Sequence, residues 1–436
     1  MTLRPTVAIH TLGCKLNQAE SEKLARELSL AGYGFAQGNA ADIHILNTCS
    51  VTHIADRKSR HMVRILRSKN PQAFIIVTGC YAESAGQDLV DCGADWVVDN
   101  RYKMSLPDEI TSKIKGLLNY KHKGDALSST ERVRSFIKIQ DGCQNFCSYC
   151  IVPYVRPNVF SLDANEVIME IREKVAAGYA EVVLTGTEIG AYIDKGLKLS
   201  GLVQRILEET DIKRLHLSSL QPQSVSPQLL GLWNDNRLSR HFHLALQSGS
   251  DSVLKRMRRK YNTAQYKKTV DRILDIMPDA SITTDIIVGF PGESDAEFLE
   301  SYNFCENTGF AAMHVFVYSA RPGTLAAQMP GKVGEKLKKE RSLQMLELAA
   351  HIADNFAGRF IGQTRDVLWE NETGRGSGIC TGLTDNYIRT YAKSGVNIIG
   401  KIMKARLIDW AEDVKGLPLR ASTRGNHGEL WGEVLR

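Results

Sequence analysis

The segment DGCQNFCSYC, residues 141–150, sets Cys143, Cys147 and Cys150 at C-x3-C-x2-C spacing. Cysteines so spaced are metal ligands, and such sites ordinarily close with four donors, around zinc or an iron–sulfur cube. No fourth cysteine follows in the loop, and the next histidine downstream is His216. Two readings stand. A distant residue completes a zinc-type site, or one metal position is left open for chemistry.

Three further cysteines follow a second pattern. Cys14 ends TLGC, Cys49 ends LNTC and Cys80 ends VTGC, each directly after a strand-like apolar run. Strands that run in parallel bring such residues to one carboxyl edge, where open α/β sheets bind their ligands. Free cysteine is also common as a small buried residue. The repeated placement favours a shared ligand site over that alternative. Cys92, Cys305 and Cys380 lack the placement and read as buried filler.

The elements that must position these residues come in three blocks. TVAIHTL (6–12), DIHILNT (42–48), AFIIVTG (73–79) and DWVVD (95–99) alternate with helical patterns, which predicts a parallel sheet of βα units over residues 1–128. Residues 129–358 resume the alternation with RSFIKIQ, EVVLTG, KRLHLSS, HFHLALQ, SITTDIIVG and MHVFVYS, six strands that predict a partial (βα)6 barrel with functional groups at the strand carboxyl ends. GFPGES (289–294) lacks the lysine of a phosphate loop and reads as a turn into a helix, and 331–360 as a long amphipathic helix. Residues 359–436 change character: DVLWE, GICTGLT, YIRTYAK, KIMKARLIDW and LWGEVL predict a small all-β barrel of the oligonucleotide-binding kind.

Bulk properties fit this plan. A chain of 436 residues exceeds a single core, and 43% hydrophobic with 24% charged residues is ordinary for a globular protein. MTLRPTVAIHTLGCKLNQ has no apolar signal stretch and no run approaches a membrane span, so the expected location is the cytoplasm, without a membrane partner. In that reducing compartment the nine cysteines point to metal or catalysis rather than disulfides. A net charge of +6 permits a polyanionic partner without demanding one.

The three-cysteine loop after the first barrel strand, with Tyr149 before Cys150, resembles the cluster loop of the radical S-adenosylmethionine (SAM) superfamily. The resemblance implies a [4Fe–4S] cluster held by Cys143, Cys147 and Cys150, its fourth iron open to SAM, whose reductive cleavage gives a 5′-deoxyadenosyl radical. It implies that SAM is held by Tyr149, by Gly186 and Glu188 of TGTE, and by Ser219, Gln247 and Asp285 at later strand ends. Any of the last three reads equally as a capping or turn residue.

With both triads, TLGCKLNQAES, NTCSVTHIADRKSR, VTGCYAE, LTGTEIGAY, LSSLQPQS, LALQSGSDSVLKRMRRKY and VFVYSARPGT, the chain resembles the methylthiotransferases nearly end to end. Within them it is most similar to the branch acting on N6-threonylcarbamoyladenosine beside the tRNA anticodon. That implies a transferase with a second [4Fe–4S] cluster on Cys14, Cys49 and Cys80, converting the nucleoside to its 2-methylthio derivative. Its partners are tRNA, SAM, a reducing electron donor and a sulfur source, and the expected state is a monomer. The C-terminal barrel resembles a TRAM domain.

RNA contacts are expected from Arg57, Lys58, Arg60, Arg156, Lys255, Arg256, Arg258, Arg259, Tyr387, Arg389, Lys393 and Lys404. A solvated charged face is the alternative for the basic runs. The chain departs from the family after IVPY. Arg156 matches, whereas Pro157, Asn158 and Phe160 do not, and proline removes a backbone donor there. The alternatives in function are isopentenyladenosine in tRNA, a ribosomal-protein aspartate, or a non-catalytic iron–sulfur RNA-binding protein.

Overall fold

A computed structural model describes residues 5–36, 41–113, 133–374, 376–411 and 427–435 of the chain. The expected boundary between residues 128 and 129 lies outside the described residues.

The first block is a parallel sheet. Strands β1 (Thr6–Thr11), β2 (Ile43–Thr48) and β3 (Phe74–Gly79) pair side by side, flanked by the two-residue strands Gly34–Phe35 and Trp96–Val97. β2 is buried along its whole length, as both faces of a parallel sheet are covered by crossover helices. Helices α1 (Lys15–Leu30), α2 (His53–Lys69) and α3 (Cys80–Asp91) start directly after, or within a few residues of, the strand ends. Leu24 and Leu28 of α1 cover Ile43, Ile45 and Ile76 on one face; Val63 and Leu66 of α2 and Leu89 of α3 cover Leu46, Ile75 and Val77 on the other.

The second block holds six parallel strands: β4 (Arg134–Asp141), β5 (Glu181–Gly186), β6 (Arg214–Leu217), β7 (His241–His243), β8 (Ser281–Val288) and β9 (Ala312–Val317). They form two sheets, β6-β5-β4 and β7-β8-β9, which isolated bridges join at Leu215–Leu238 and Leu220–Leu244. The main core lies between these strands and their helices: Ile282, Ile286 and Val288 pack with Tyr266, Val270 and Ile273 of the helix Thr263–Ile276. Because side chains alternate along a strand, the opposite face of the same strands presents His241, His243, Thr283 and Asp285 to the barrel interior. GFPGES is a turn, and Ser294 caps the helix Asp295–Thr308 in a reciprocal capping box with Glu297.

A 24-residue helix, Glu335–Gly358, leads to the third block. There β10 (Thr364–Glu372), β11 (Ile379–Thr384), β12 (Arg389–Lys393), β13 (Ile402–Trp410) and β14 (Leu430–Val434) close into a barrel, which removes open sheet edges.

The first two blocks are locked together by buried charge. Arg156 donates to both oxygens of Glu20 at 2.8 and 2.9 Å, to both oxygens of Asp141 at 2.9 and 3.0 Å, and to Asn17 Oδ1 at 3.1 Å. Lys103 reaches Glu20 at 2.6 Å, and Lys138 bridges Glu20 and Asp141 at 3.1 Å each. Burial alone would raise the Glu20 carboxyl, but Lys103 and Arg156 beside it hold it well below the ordinary range. Asp141 is likewise lowered against its burial by Arg156 and Lys138. A second tie runs from buried Arg321, after β9, to Ser50 at 3.0 Å and Asp56 at 2.6 Å.

Removing one member of a buried ion cluster leaves the others uncompensated, at a cost of roughly 3–5 kcal/mol. Arg156→Ala is therefore expected to lower the stability measured by denaturant titration at pH 7 by about 3 kcal/mol. Carboxylates held low in the folded state contribute stability that is present above their unfolded pKa and lost as pH falls through the folded one. The variant, lacking part of that depression, should accordingly lose stability at a higher pH than the parent on acidification.

Candidate active site

Two glycines explain how the three N-terminal cysteines meet. Gly13 and Gly79 sit at φ +103° and +98°, where a side chain is strained. A Cβ on Gly13 would lie 2.5 Å from Cys49 Cβ and 2.9 Å from its Sγ; one on Gly79 would lie 2.5 Å from Thr48 O. The missing side chains let the Cys14 and Cys80 turns close on Cys49. Cys14 caps α1 and Cys80 opens α3, so two helix N-termini face this point, an arrangement that favours negative charge by about 0.3–1 kcal/mol each. Arg156 adds its charge from the adjoining ion cluster, where three cations face two carboxylates. All nine cysteines are free thiols, and burial pushes Cys49 up to about 12. Cys92, Cys305 and Cys380 are buried, as their filler reading requires.

These cysteines open onto a cavity of about 770 Å³ that also receives Gly186 and Ser219 from two barrel strand ends and Asp285, which lies within β8 rather than at the expected strand end. Its floor is polar: His241, His243, Thr283 and Tyr387. The second triad sits in the loop after β4. Burial raises Cys143 to about 11 and Cys150 to about 12, and the three thiols act on one another electrostatically. Cys143 donates to Glu188 Oε2 at 3.4 Å, Asn145 Nδ2 donates to the same oxygen at 2.7 Å, and Gln221 holds Oε1 at 3.0 Å. The Glu188 N–H is itself fixed by Gln140 Oε1 at 2.7 Å. Glu188 is thus a rigidly oriented carboxylate beside Cys143. Tyr149 packs in the cluster of Val253, Met257, Phe290 and Ala326, and Gln247 contributes its backbone, at φ +73°, to Asp285 O and the Ile287 N–H.

The segment after the loop folds back on itself. Phe160–Ser161 pairs antiparallel with Gln140–Asp141, and Lys138 Nζ lies 5.4 Å from the Phe160 ring. Pro157 and Asn158 line a separate 370 Å³ pocket with Arg156, Glu20 and Asp141.

The basic residues divide sharply. Arg57, Lys58, Lys255, Arg258, Lys393 and Lys404 are exposed. Arg156, expected to contact RNA, instead has its guanidinium committed inside the protein. Tyr387 departs likewise: its ring stacks on His241, with centroids 4.5 Å apart, and its hydroxyl bonds Glu181 and His216. Arg259 turns inward, donating to Cys147 Sγ at 3.3 Å and to Tyr261 at 2.9 Å. Arg256 is paired twice with Glu297 at 2.8 Å, Arg389 with Glu370, and Arg60 with Tyr81 and Asp88. Asn145, Gln140, Gln221 and Arg259 belong to the site without having been singled out for it. Their signal in the sequence is position, since each lies in or beside a segment that carries a site residue.

A partial parallel barrel with three thiols in the loop after its first strand defines a radical SAM enzyme. Residues 137–305 match the model of the radical SAM superfamily, and residues 6–98 that of the uncharacterized protein family UPF0004. Threonylcarbamoyladenosine tRNA methylthiotransferase MtaB of Bacillus subtilis is 35% identical over 425 residues, covering 92% of this chain and 94% of that one. Its counterpart from Thermotoga maritima is 38% identical over 405 residues, covering 88% and 90%. A tRNA-2-methylthio-N(6)-dimethylallyladenosine synthase of Syntrophotalea carbinolica is 31% identical over 427 residues, covering 92% and 96%. In fold, the chain is similar to the radical SAM methyltransferase TsrM of Kitasatospora setae, with TM-score 0.55 at 13% identity over 74% of this chain and 77% of that one. The chain belongs to the radical SAM methylthiotransferases, in the branch of the threonylcarbamoyladenosine tRNA enzymes.

The donor sets fit iron–sulfur clusters: two groups of three thiols, one cradled by glycine against helix N-termini and the other fixed beside Glu188 and Arg259. Anaerobic reconstitution should load about eight irons per chain, falling to about four in Cys14→Ala or Cys147→Ala. Unchanged iron in either variant would contradict the assignment.

Proposed function

We propose that the protein methylthiolates N6-threonylcarbamoyladenosine beside the anticodon of tRNA. The observation that carries this reading is the convergence of Cys14, Cys49 and Cys80 on a cavity lined by residues of the radical SAM strands. An adenine C2–H offers no acidic proton, so acid–base chemistry alone does not open it, whereas a radical abstracts the hydrogen directly. Bound at the two triads, the clusters and SAM supply that radical and the transferable sulfur.

The chain's own residues bind and orient. Glu188, pinned by Asn145, Gln221 and Gln140, would hold the SAM amine through a carboxylate oxygen. Gly186, Ser219 and Asp285 line the SAM-bearing side of the cavity, and Tyr149 and Gln247 support the loop and strand end beside it. The nucleoside enters from a neighbouring 830 Å³ cleft lined by Thr52, His53, Ile54, Phe316, Val317 and Lys332. His314 lines both spaces and connects them. Ile54 and Phe316 are 57% and 43% exposed there, apolar surface suited to an unstacked base. Arg57 and Lys58 on α2, Lys255 and Arg258, and Lys393 and Lys404 on the C-terminal barrel supply the phosphate contacts.

No helix among the described residues is long and apolar enough to cross a membrane. The reading places the enzyme in the cytoplasm as a monomer, drawing electrons from a reducing partner and sulfur from a separate source.

The test is nucleoside mass analysis after anaerobic reaction with iron, sulfide, SAM, reductant and tRNA bearing threonylcarbamoyladenosine. The expected product is the 2-methylthio nucleoside, absent in Cys14→Ala and in Cys147→Ala. SAM cleavage with this nucleoside untouched, and isopentenyladenosine converted instead, would overturn the substrate.

A further inference from the structure

Beneath the cavity the barrel interior holds an unbroken line of hydrogen bonds. Tyr387 Oη meets Glu181 Oε1 at 2.8 Å and His216 Nδ1 at 2.8 Å. His216 Nε2 meets His241 Nδ1 at 2.8 Å, and His241 Nε2 meets Thr283 Oγ1 at 2.8 Å. Thr283 Oγ1 meets His243 Nδ1 at 3.0 Å, and His243 Nε2 meets Asp285 Oδ2 at 3.1 Å. Burial pushes the His216 and His241 imidazoles well below their ordinary range, so both are neutral, each with one donor and one acceptor nitrogen.

The protons in this line can be counted. Six hydrogen bonds join two carboxylates through five groups, and each of the five, when neutral, brings one exchangeable proton. Satisfying all six bonds needs one proton more. With that proton at Asp285, every bond points toward Glu181; with it at Glu181, every bond points toward Asp285. Both arrangements satisfy every group, and they interconvert by one hop along each bond. Burial raises the Glu181 carboxyl, which suits it to take up the extra proton at the closed end.

We propose that this line is a proton relay that accepts a proton from the cavity at His243 and Asp285 and stores it at Glu181. The relay rests on the methylthiotransferase reading, and it names a proton that the reaction releases. Sulfur supplied as hydrosulfide leaves as a methylthio group. As the new S–CH3 bond forms and the sulfonium S–CH3 bond of SAM breaks, the S–H proton departs, and His243 with Asp285 receives it. Radical abstraction at C2 moves a hydrogen atom and releases no proton, so the relay serves the methyl transfer alone. The C-terminal barrel takes part, because Tyr387 joins the Glu181 end to the rest. The charges acting on the line are Lys15 from α1, Arg134 from β4, Arg214 from β6, His314 from β9 and Glu370 from β10.

The experiment begins with the chain free of iron. Ring 15N signals of His243 are followed against pH in the parent and in Tyr387→Phe, which removes one hydroxyl four bonds of the line away. A coupled relay moves the His243 midpoint by about half a pH unit or more, roughly a threefold change in proton affinity. An unmoved midpoint overturns the proposal. Thr283→Val breaks the line at its centre and serves as the second variant should Tyr387→Phe fail to fold. Zinc binding that abolishes the His243 titration at one ion per chain would also overturn it, making His243, Asp285 and His314 a metal site instead; their ligand atoms lie within 4.8 Å of one another.

In the reconstituted enzyme, S-adenosylhomocysteine release by either variant should fall at least tenfold relative to 5′-deoxyadenosine formation at pH 6.5 and recover at pH 8.5. A ratio independent of pH overturns the relay. Coupled His243 titration in a chain that makes no methylthio product keeps the relay and removes the substrate reading.

Discussion

One buried arginine governs how the parts of this protein meet. Arg156 sits between α1 of the first block and the loop after β4 of the second, and its partners come from both. A guanidinium is planar, always charged and rich in donors, so it makes five bonds to two carboxylates and an amide where a lysine has only three donors. The pairing is costly to assemble, because every member loses water, and its value lies in fixing one geometry. That geometry fixes the sheet edge bearing Cys14, Cys49 and Cys80 against the end of β4, whose following loop carries the second triad. Asn17, which accepts from Arg156, also bonds Leu12 O and Thr48 O at the Cys14 and Cys49 turns.

The cavity inherits its character from strand alternation. Residues that face the helices are apolar and form the core, whereas the inward faces of β7 and β8 carry His241, His243, Thr283 and Asp285. An interior of histidines, threonine and carboxylates would be destabilising if unpaired, and the line from Glu181 to Asp285 is how they are satisfied. Tyr387 closes that line from the third block, so the small barrel is a structural part of the active site as well as an RNA-binding candidate. Arg365, bonding Asp279 at 2.7 Å, and the Arg240 N–H, donating to Asp385 O at 2.9 Å, hold the third block in place.

Much of this was legible in the sequence, for physical reasons. Parallel strands announce themselves as continuous β-branched runs, and all three N-terminal cysteines were placed correctly at one sheet edge because strand direction is shared. HFHLALQ is regular strand only at 241–243, because the chain then departs from the ladder toward Gln247 at positive φ. Side-chain partnerships across the fold were not legible. Arg156 looked like one more arginine near a cluster because Glu20 lies 136 residues earlier, and Tyr387 looked like a stacking residue because Glu181 lies 206 residues away. KRMRRK carries five basic residues in six positions. The helix ends at Arg256 and Arg258 takes φ +57°, which turns Arg259 toward Cys147 and leaves Lys255 and Arg258 outside.

The central claim is that the Arg156 cluster holds the two triad-bearing blocks in one fixed arrangement so that both triads act on one nucleoside. The direct measurement is the ratio of 2-methylthio product to 5′-deoxyadenosine in folded, iron-loaded Arg156→Lys. Lysine keeps the charge but has three donors on one nitrogen in place of the five bonds that Arg156 makes to Glu20, Asp141 and Asn17. The expected result is continued SAM cleavage with the product ratio reduced at least tenfold. A ratio equal to that of the parent enzyme would contradict the claim.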